Sequence, residues 1–94
     1  MIVKIKTSYG TIREYAVNEL SEPHFFLRNE NAGNIDIYPE SWIDTYGFSK
    51  ATGFDEKFTH SICMPTGGLV FYGKSLEDCF AFFKLRRYEV IETC

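Results

Sequence analysis

His60 and Cys63 are the pair whose types and spacing come closest to a reactive site. A histidine and a cysteine three residues apart match half of a metal-binding motif. On a strand, however, side chains three residues apart point to opposite faces of the sheet. A zinc site also needs about four ligands, and the other cysteines, Cys79 and Cys94, lie far along the chain. We therefore expect no metal site and no cofactor.

The same histidine and cysteine could also form a thiolate nucleophile with its general base. Such a thiol must be exposed and lie in an electropositive setting. Cys79 falls on the apolar face of a predicted helix, so only Cys63 qualifies, beside a glycine-containing turn. We predict no catalytic residue and favour a protein that is not an enzyme. The alternative is a small enzyme or ligand-binding domain with a pocket around His60, Cys63 and Tyr72.

The charge balance bears on nucleic-acid binding. The formal net charge is −3 and the isoelectric point is about 5.3, whereas a general phosphate-binding surface needs clustered lysine and arginine. The sequence therefore argues against a nucleic-acid partner. A weak nucleic-acid site at Lys84, Arg86 and Arg87 remains a further alternative, although the exposed end of a helix explains the same three residues.

The length and composition predict a single folded domain over residues 1–94. Hydrophobic residues make up 45% of the chain and aromatic residues 17%, which is enough apolar surface to offset the ordering entropy. Charges interrupt the N-terminus within four residues, so no signal peptide is expected. No apolar run reaches the roughly 20 residues that span a membrane. The three cysteines lack paired spacing, so we expect a protein of the reducing cytoplasm.

The strongest secondary-structure signal is a helix over about 75–87. Ser75 stands where an N-cap residue would accept a hydrogen bond from the first turn. Acidic residues follow it and basic residues come at the other end, as the helix dipole favours. Apolar residues recur at helical spacing along one stripe, and they are Leu76, Cys79, Phe80 and Phe83. Phe82 and Leu85 lie off that stripe and widen the apolar arc.

The other predicted elements are strands separated by turns. Alternating or continuous apolar patterns predict strands at 1–7, 12–17, 24–28, 35–38, 58–63, 69–72 and 88–92. The polar residues 18–23 end in proline and predict a loop. A short helix is expected near 39–46, with Pro39 in its first turn and Gly47 at its end. Residues 48–57 are expected to be irregular.

These elements predict an α+β fold. We expect a mostly antiparallel sheet of about five to seven strands, with the main C-terminal helix (about 75–87) packed on one face and the short helix near 39–46. Such a sheet has edges, and edges can pair with another chain. A homodimer formed through a sheet edge or the wide helix face is therefore an additional expectation.

The excess of aromatic residues carries our functional hypothesis. Tyrosine and tryptophan supply much of the binding energy at protein interfaces, and the chain holds more rings than so small a core readily buries. We predict a non-enzymatic protein-interaction domain that docks on another protein, for example a phage- or mobile-element-encoded inhibitor or adaptor. The candidate contact residues are Tyr9, Tyr38, Trp42, Tyr46, Tyr72, Phe82 and Leu85.

Overall fold

A computed structural model describes residues 1–94 and confirms the predicted fold class. The chain forms a mostly antiparallel sheet of seven strands with two short helices. The strands are β1 (Ile2–Lys6), β2 (Ile12–Arg28), β3 (Ile35–Pro39), β4 (Ser49–Lys50), β5 (Lys57–Cys63), β6 (Leu69–Gly73) and β7 (Glu89–Thr93). The helices are α1 (Trp42–Tyr46) and α2 (Leu76–Leu85).

The chain divides into two compact units. Unit 1 contains Met1–Glu19 and His60–Cys94, and unit 2 contains Leu20–Thr59. The long strand β2 begins in unit 1 and ends in unit 2. The expectation of one domain over residues 1–94 stays a prediction, and each unit is described by itself.

Unit 1 is an antiparallel sheet with α2 packed on one face. Its strand order is β6-β5-β2-β1-β7. The predicted hairpin between β1 and β2 pairs Val3 with Tyr15, and the predicted hairpin between β5 and β6 pairs Ile62 with Phe71. The closing strand β7 pairs with the other side of β1. Strands β6 and β7 are therefore the two edges of this sheet.

The core of unit 1 lies between α2 and the sheet. Alternation along β1 and β2 directs one set of side chains toward α2, as period-two patterning requires. The buried members are Val3, Ile5, Tyr15, Val17, Ile62, Cys79 and Phe83. Four further rings pack against this group at partial burial, and they are Phe71, Phe80, Phe82 and Tyr88. The apolar stripe predicted for α2 therefore faces this core, with Cys79 and Phe83 as its buried residues.

The start of α2 follows the predicted capping chemistry. The Ser75 hydroxyl accepts a hydrogen bond from the backbone N–H of Asp78 at 3.1 Å. The carboxylate of Asp78 accepts one from the backbone N–H of Lys74 at 2.9 Å. A full capping box would use glutamate to reach the N-cap residue itself. Aspartate instead bonds the preceding residue, which still ties the chain to the first turn.

The end of α2 departs from the prediction by two residues. The helix ends at Leu85 because Arg87 adopts a left-handed backbone, with φ of 60°. The N–H of Tyr88 bonds the carbonyl of Phe83 at 2.9 Å, and the N–H of Arg87 bonds that of Lys84 at 3.0 Å. These two bonds define a Schellman turn, in which glycine is the usual left-handed residue.

Unit 2 is built around the second half of β2. Residues 24–28 pair with β3 in antiparallel register, with Phe25 opposite Tyr38. Residues 27–28 also pair with the short strand β4. The buried apolar side chains of unit 2 are few, and they are Leu27, Ala51 and Phe58. Phe26 connects two further rings, lying 5.0 Å from Phe54 and 5.5 Å from Phe58 between centroids.

The loop predicted at 18–23 is wrong, because β2 continues through it without a break. Strand β2 pairs with β1 over residues 12–16 and with β3 over residues 24–28. Extended backbone is compatible with the fixed φ of proline, and the carbonyl of Pro23 accepts a hydrogen bond from Glu40 N–H at 3.0 Å. The polar composition reflects side chains that are exposed or half-buried, rather than a turn.

The short helix was placed correctly but begins later than predicted. Pro39 is the last residue of β3, opposite His24, instead of the first residue of the helix. Helix α1 covers only Trp42–Tyr46, and Gly47 ends it with φ of 71°, as predicted. Within the region expected to be irregular, residues 49–50 form β4.

Candidate functional site

Four aromatic side chains of unit 2 contact one another around α1. We call them the ring cluster, and they are Tyr38, Trp42, Tyr46 and Phe48. Tyr38 stacks on Trp42 with centroids 4.8 Å apart and planes at 19°. Tyr46 meets the other end of Trp42 edge to face at 4.9 Å. Stacked and edge-to-face pairs at these distances are the favourable aromatic geometries.

Phe48 completes the ring cluster and was missed by the sequence analysis. Its ring lies edge-on to Tyr38 at 5.1 Å and to Trp42 at 5.7 Å. Gly47 supplies the positive φ that reverses the chain after α1, which brings Phe48 back over the helix. An apolar residue directly after a C-cap glycine is a known accompaniment of this turn and could have signalled the contact.

Two elements position the ring cluster. Tyr38 projects from β3, while Trp42 and Tyr46 are four residues apart on α1 and so share one side of the helix. The N-terminus of α1 is tied to β2, since the carboxylate of Glu22 accepts the backbone N–H of Ser41 at 2.7 Å. This hydrogen bond holds the pKa of Glu22 below its ordinary value.

The ring cluster is partly accessible to solvent, with one exposed ring and three half-buried rings. No residue of α1 is buried, and the side chain of Tyr46 is 58% exposed. The other three rings are half-buried, mainly against one another. A helix that buries nothing completely contributes little to a core, so the rings present a pre-arranged surface.

Acidic residues lie on or beside the two elements that carry the ring cluster. Asp44 lies within α1, Glu40 precedes the helix, and Asp36 lies on β3. Unit 2 as a whole carries seven acidic and three basic residues, a formal net charge of −4, whereas unit 1 carries six acidic and seven basic residues. The acidic character of the chain therefore belongs to the unit that holds the ring cluster.

The remaining predicted contact residues do not join the ring cluster. They lie in unit 1, on α2, on β6 and in the turn after β1. Phe82 stacks on Phe71 at 4.6 Å, and the Arg86 guanidinium lies over the Phe82 ring at 5.1 Å from its centroid. Tyr72 is half-buried on β6, whereas Leu85 is 84% exposed and Tyr9, in the turn after β1, is 95% exposed. Their roles in binding stay predictions.

The alternative pocket around His60, Cys63 and Tyr72 is divided by the sheet. His60 pairs with Gly73, and a Cβ added to Gly73 would meet the Cys79 sulfur of α2 at 2.6 Å. His60 therefore lies on the face that α2 covers. Tyr72 pairs with Ser61, whose hydroxyl lies 3.9 Å from the Cys63 sulfur. Cys63 and Tyr72 consequently share the opposite face.

The surroundings of the Cys79 thiol and of the basic residues at the end of α2 can be explained by the fold. Burial, with a smaller contribution from Asp78, raises the pKa of the Cys79 thiol to about 11, so this cysteine packs as an apolar side chain. The three residues of the alternative nucleic-acid site, Lys84, Arg86 and Arg87, are exposed at the end of α2. No group of three or more His, Cys, Asp and Glu side chains is placed to hold a metal ion.

Neither helix has the length and apolar composition that crossing a membrane requires. Comparison with protein-family models, with curated proteins and with solved structures found no significant match.

Proposed function

We propose that this chain is a non-enzymatic protein-interaction domain and that the ring cluster is its docking surface. One observation carries the proposal: four rings are in mutual contact around a helix none of whose residues is buried. Rings that served only folding would be covered by the chain itself. These rings restrain one another, none of the four is buried, and Tyr46 is 58% exposed.

The arrangement suits protein binding energetically. Tyrosine and tryptophan offer large contact areas with few rotatable bonds, and buried interface rings of these types dominate alanine-scanning losses. Stacking against neighbours restrains Trp42 before binding, which reduces the entropy lost on association. The hydroxyls of Tyr38 and Tyr46 add polar groups that can pair at the rim.

The local charge indicates the chemistry of the partner. Asp36, Glu40 and Asp44 lie on or beside the elements that carry the rings. A partner surface with an apolar centre and basic residues around it would complement this surface. The same charges repel phosphate backbones, so a protein is favoured over nucleic acid. Binding should weaken as salt concentration rises, because exposed charge pairs are screened.

We further propose that the protein acts by occupying its partner, as an inhibitor or adaptor, in a reducing cytoplasm. The three cysteines, Cys63, Cys79 and Cys94, are all free thiols, which suits that compartment. Homodimerisation through an edge strand, β6 or β7, is proposed as an additional mode of assembly, since unpaired strand edges accept another strand.

A capture experiment with paired variants tests the docking surface. Tagged wild-type protein, Trp42→Ala and Phe54→Ala would be incubated with lysate of the native host, and bound proteins would be quantified by mass spectrometry. Phe54 is the matched control, because it is a 43% exposed ring of unit 2 outside the ring cluster. We expect one partner that wild type and Phe54→Ala recover equally and Trp42→Ala loses. Equal recovery by Trp42→Ala would contradict the proposal.

A further inference from the structure

A second surface feature, in unit 1, lies on the same sheet face as α2. An open apolar groove of about 370 Å³ runs between β2 and the turn that joins β5 to β6. Its walls come from residues 13–15 of β2 and from Met64, Pro65 and Thr66 of the turn. The volume falls within the range of about 300–1,000 Å³ that is usual for small-molecule sites.

Arg13 gives this apolar groove a positive charge. Arg13 pairs with Ile5 and Tyr15 pairs with Val3, so both side chains lie on the face that α2 covers. Glu14 alternates to the opposite face, where its carboxylate lies 4.0 Å from the Lys4 ammonium. The groove is therefore lined mainly by apolar atoms together with the Arg13 guanidinium, and the carboxylate of the lining residue Glu14 is paired with Lys4.

The guanidinium lies near two tyrosines. Tyr15 is two residues along on the same face of β2, and Tyr88 also acts on the charge of Arg13. The two tyrosine rings stack with centroids 6.1 Å apart, and Tyr15 is fixed against Phe83 at 5.7 Å. The contacts with Tyr15 raise the pKa of Arg13 above its ordinary value, so the group is a permanent cation.

We infer that this groove binds a small organic anion that carries one carboxylate on a compact apolar body. Arginine presents parallel N–H donors that match a carboxylate in bidentate geometry. The neighbouring tyrosine hydroxyl has a proton that it can donate to the same carboxylate. Met64, Pro65 and the Tyr15 ring would cover the apolar body. This site is independent of the ring cluster and of the proposed docking function.

Methionine methyl NMR provides a direct test. The chain contains two methionines, Met1 and Met64, so a sample labelled at the methionine methyl carbons gives two signals, one of which reports on the groove. The probes are phenylbutyrate and its neutral analogue phenylbutanol, titrated into the full chain at millimolar concentration. We expect phenylbutyrate to shift the Met64 signal in a saturable manner and to leave Met1 unchanged.

Two variants that each remove one positive charge distinguish a specific role of the Arg13 guanidinium from an effect of net charge. Arg13→Gln should weaken phenylbutyrate binding about tenfold, as expected for loss of a charge-assisted hydrogen bond. Arg86→Gln removes the same charge from the exposed end of α2 and should leave binding unchanged. Thermal unfolding of both variants checks that each is folded. Arg13→Lys, which keeps the charge but loses the parallel donors, should give an intermediate affinity.

Several results would overturn the inference. Equal affinity for phenylbutanol and phenylbutyrate in the wild-type protein would show that the cation plays no part, and this comparison needs no variant to fold. An unchanged affinity in Arg13→Gln would lead to the same conclusion. The absence of any saturable shift at Met64 would show that the groove does not take this class of ligand.

Discussion

The two units hold the same number of aromatic residues, eight each, but use them differently. In unit 1, six rings surround or belong to one apolar core with Val3, Ile5 and Ile62. In unit 2 the buried apolar residues are Leu27, Ala51 and Phe58, and the four rings of the ring cluster contact each other without any of them being buried. Equal aromatic content therefore supports a core in one unit and an accessible surface in the other.

The contribution of an aromatic ring to folding therefore depends on what the ring contacts, and not only on how many rings the domain contains. A ring that meets aliphatic side chains from several strands and a helix contributes to folding through burial. A ring whose contacts are other half-exposed rings contributes less to folding and keeps area available for a partner. The variants below test whether the rings of the two units differ in this way.

The largest expected effect is on the free energy of unfolding of Phe83→Ala. Phe83 is completely buried and contacts Tyr15, Phe80 and Phe82. Truncating a buried phenylalanine leaves a cavity and typically costs about 3–5 kcal/mol. Denaturant unfolding followed by circular dichroism would measure the loss. A cost under about 1 kcal/mol would contradict the assignment of this ring to a core.

Trp42→Ala should cost clearly less stability than Phe83→Ala. Trp42 is half-buried and its aromatic partners are the other rings of the ring cluster, so we expect a loss of about 1–2 kcal/mol from aromatic pairs and partial burial. The same denaturant measurement applies to both variants. A loss as large as that of Phe83→Ala would show that the ring cluster is part of a core and would remove the contrast between the units.

Arg87→Gly should stabilise unit 1 by about 1 kcal/mol, because glycine adopts the left-handed conformation without the steric cost that other residues incur. Arg87 has φ of 60° in the Schellman turn after α2. Arg86→Gly is the control, since Arg86 has φ of −80°, and glycine there adds backbone entropy to the unfolded chain and removes the guanidinium from the Phe82 ring. A gain with Arg86→Gly, or none with Arg87→Gly, would contradict the turn assignment.

The smallest expected effect is a pH dependence confined to unit 2. Because the folded-state pKa of Glu22 is depressed below its ordinary value of 4.5, mainly by the Ser41 N–H, its bond to α1 stabilises the folded state above that pH. This contribution is lost as pH falls through the lower folded-state pKa. Fluorescence of Trp42, the only tryptophan, should change over that acid range in wild type.

The variant Glu22→Gln isolates this contribution, since an amide does not titrate. We expect the acid-range change in Trp42 fluorescence to shrink in Glu22→Gln and to persist in Glu40→Gln, a neighbouring exposed carboxylate. An identical pH profile in all three proteins would show that the hydrogen bond from Ser41 to Glu22 does not position α1.

Local patterns were sufficient to predict much of unit 1. The cap at Ser75 and the buried stripe through Cys79 and Phe83 depend on residues a few positions apart, and both agree with the structure. The prediction failed where tertiary pairing outweighed local preference. Residues 18–23 carry loop-forming types, yet the ladders of β2 on either side keep them extended.

The sequence predicts which residue types form the ring cluster, but it does not predict how their rings are arranged. Tyr38, Trp42 and Tyr46 were chosen as contact residues because of their chemistry, and their proximity follows from β3 and α1 being adjacent in sequence. Phe48 escaped because its contact depends on the backbone reversal at Gly47. The apolar groove beside Arg13 combines residues about 50 positions apart, and no local pattern reports such a pairing.

The most direct measurement is quenching of Trp42 fluorescence by acrylamide, with and without the protein captured from the host lysate. Trp42 is the sole tryptophan of this chain. If the partner lacks tryptophan, or is labelled so that its own tryptophans do not fluoresce, the fluorescence of the complex reports only the ring cluster. The account predicts that Trp42 is readily quenched in the free protein and strongly protected, with emission at shorter wavelength, in the saturated complex. Equal quenching of Trp42 in the free protein and in the saturated complex would contradict it.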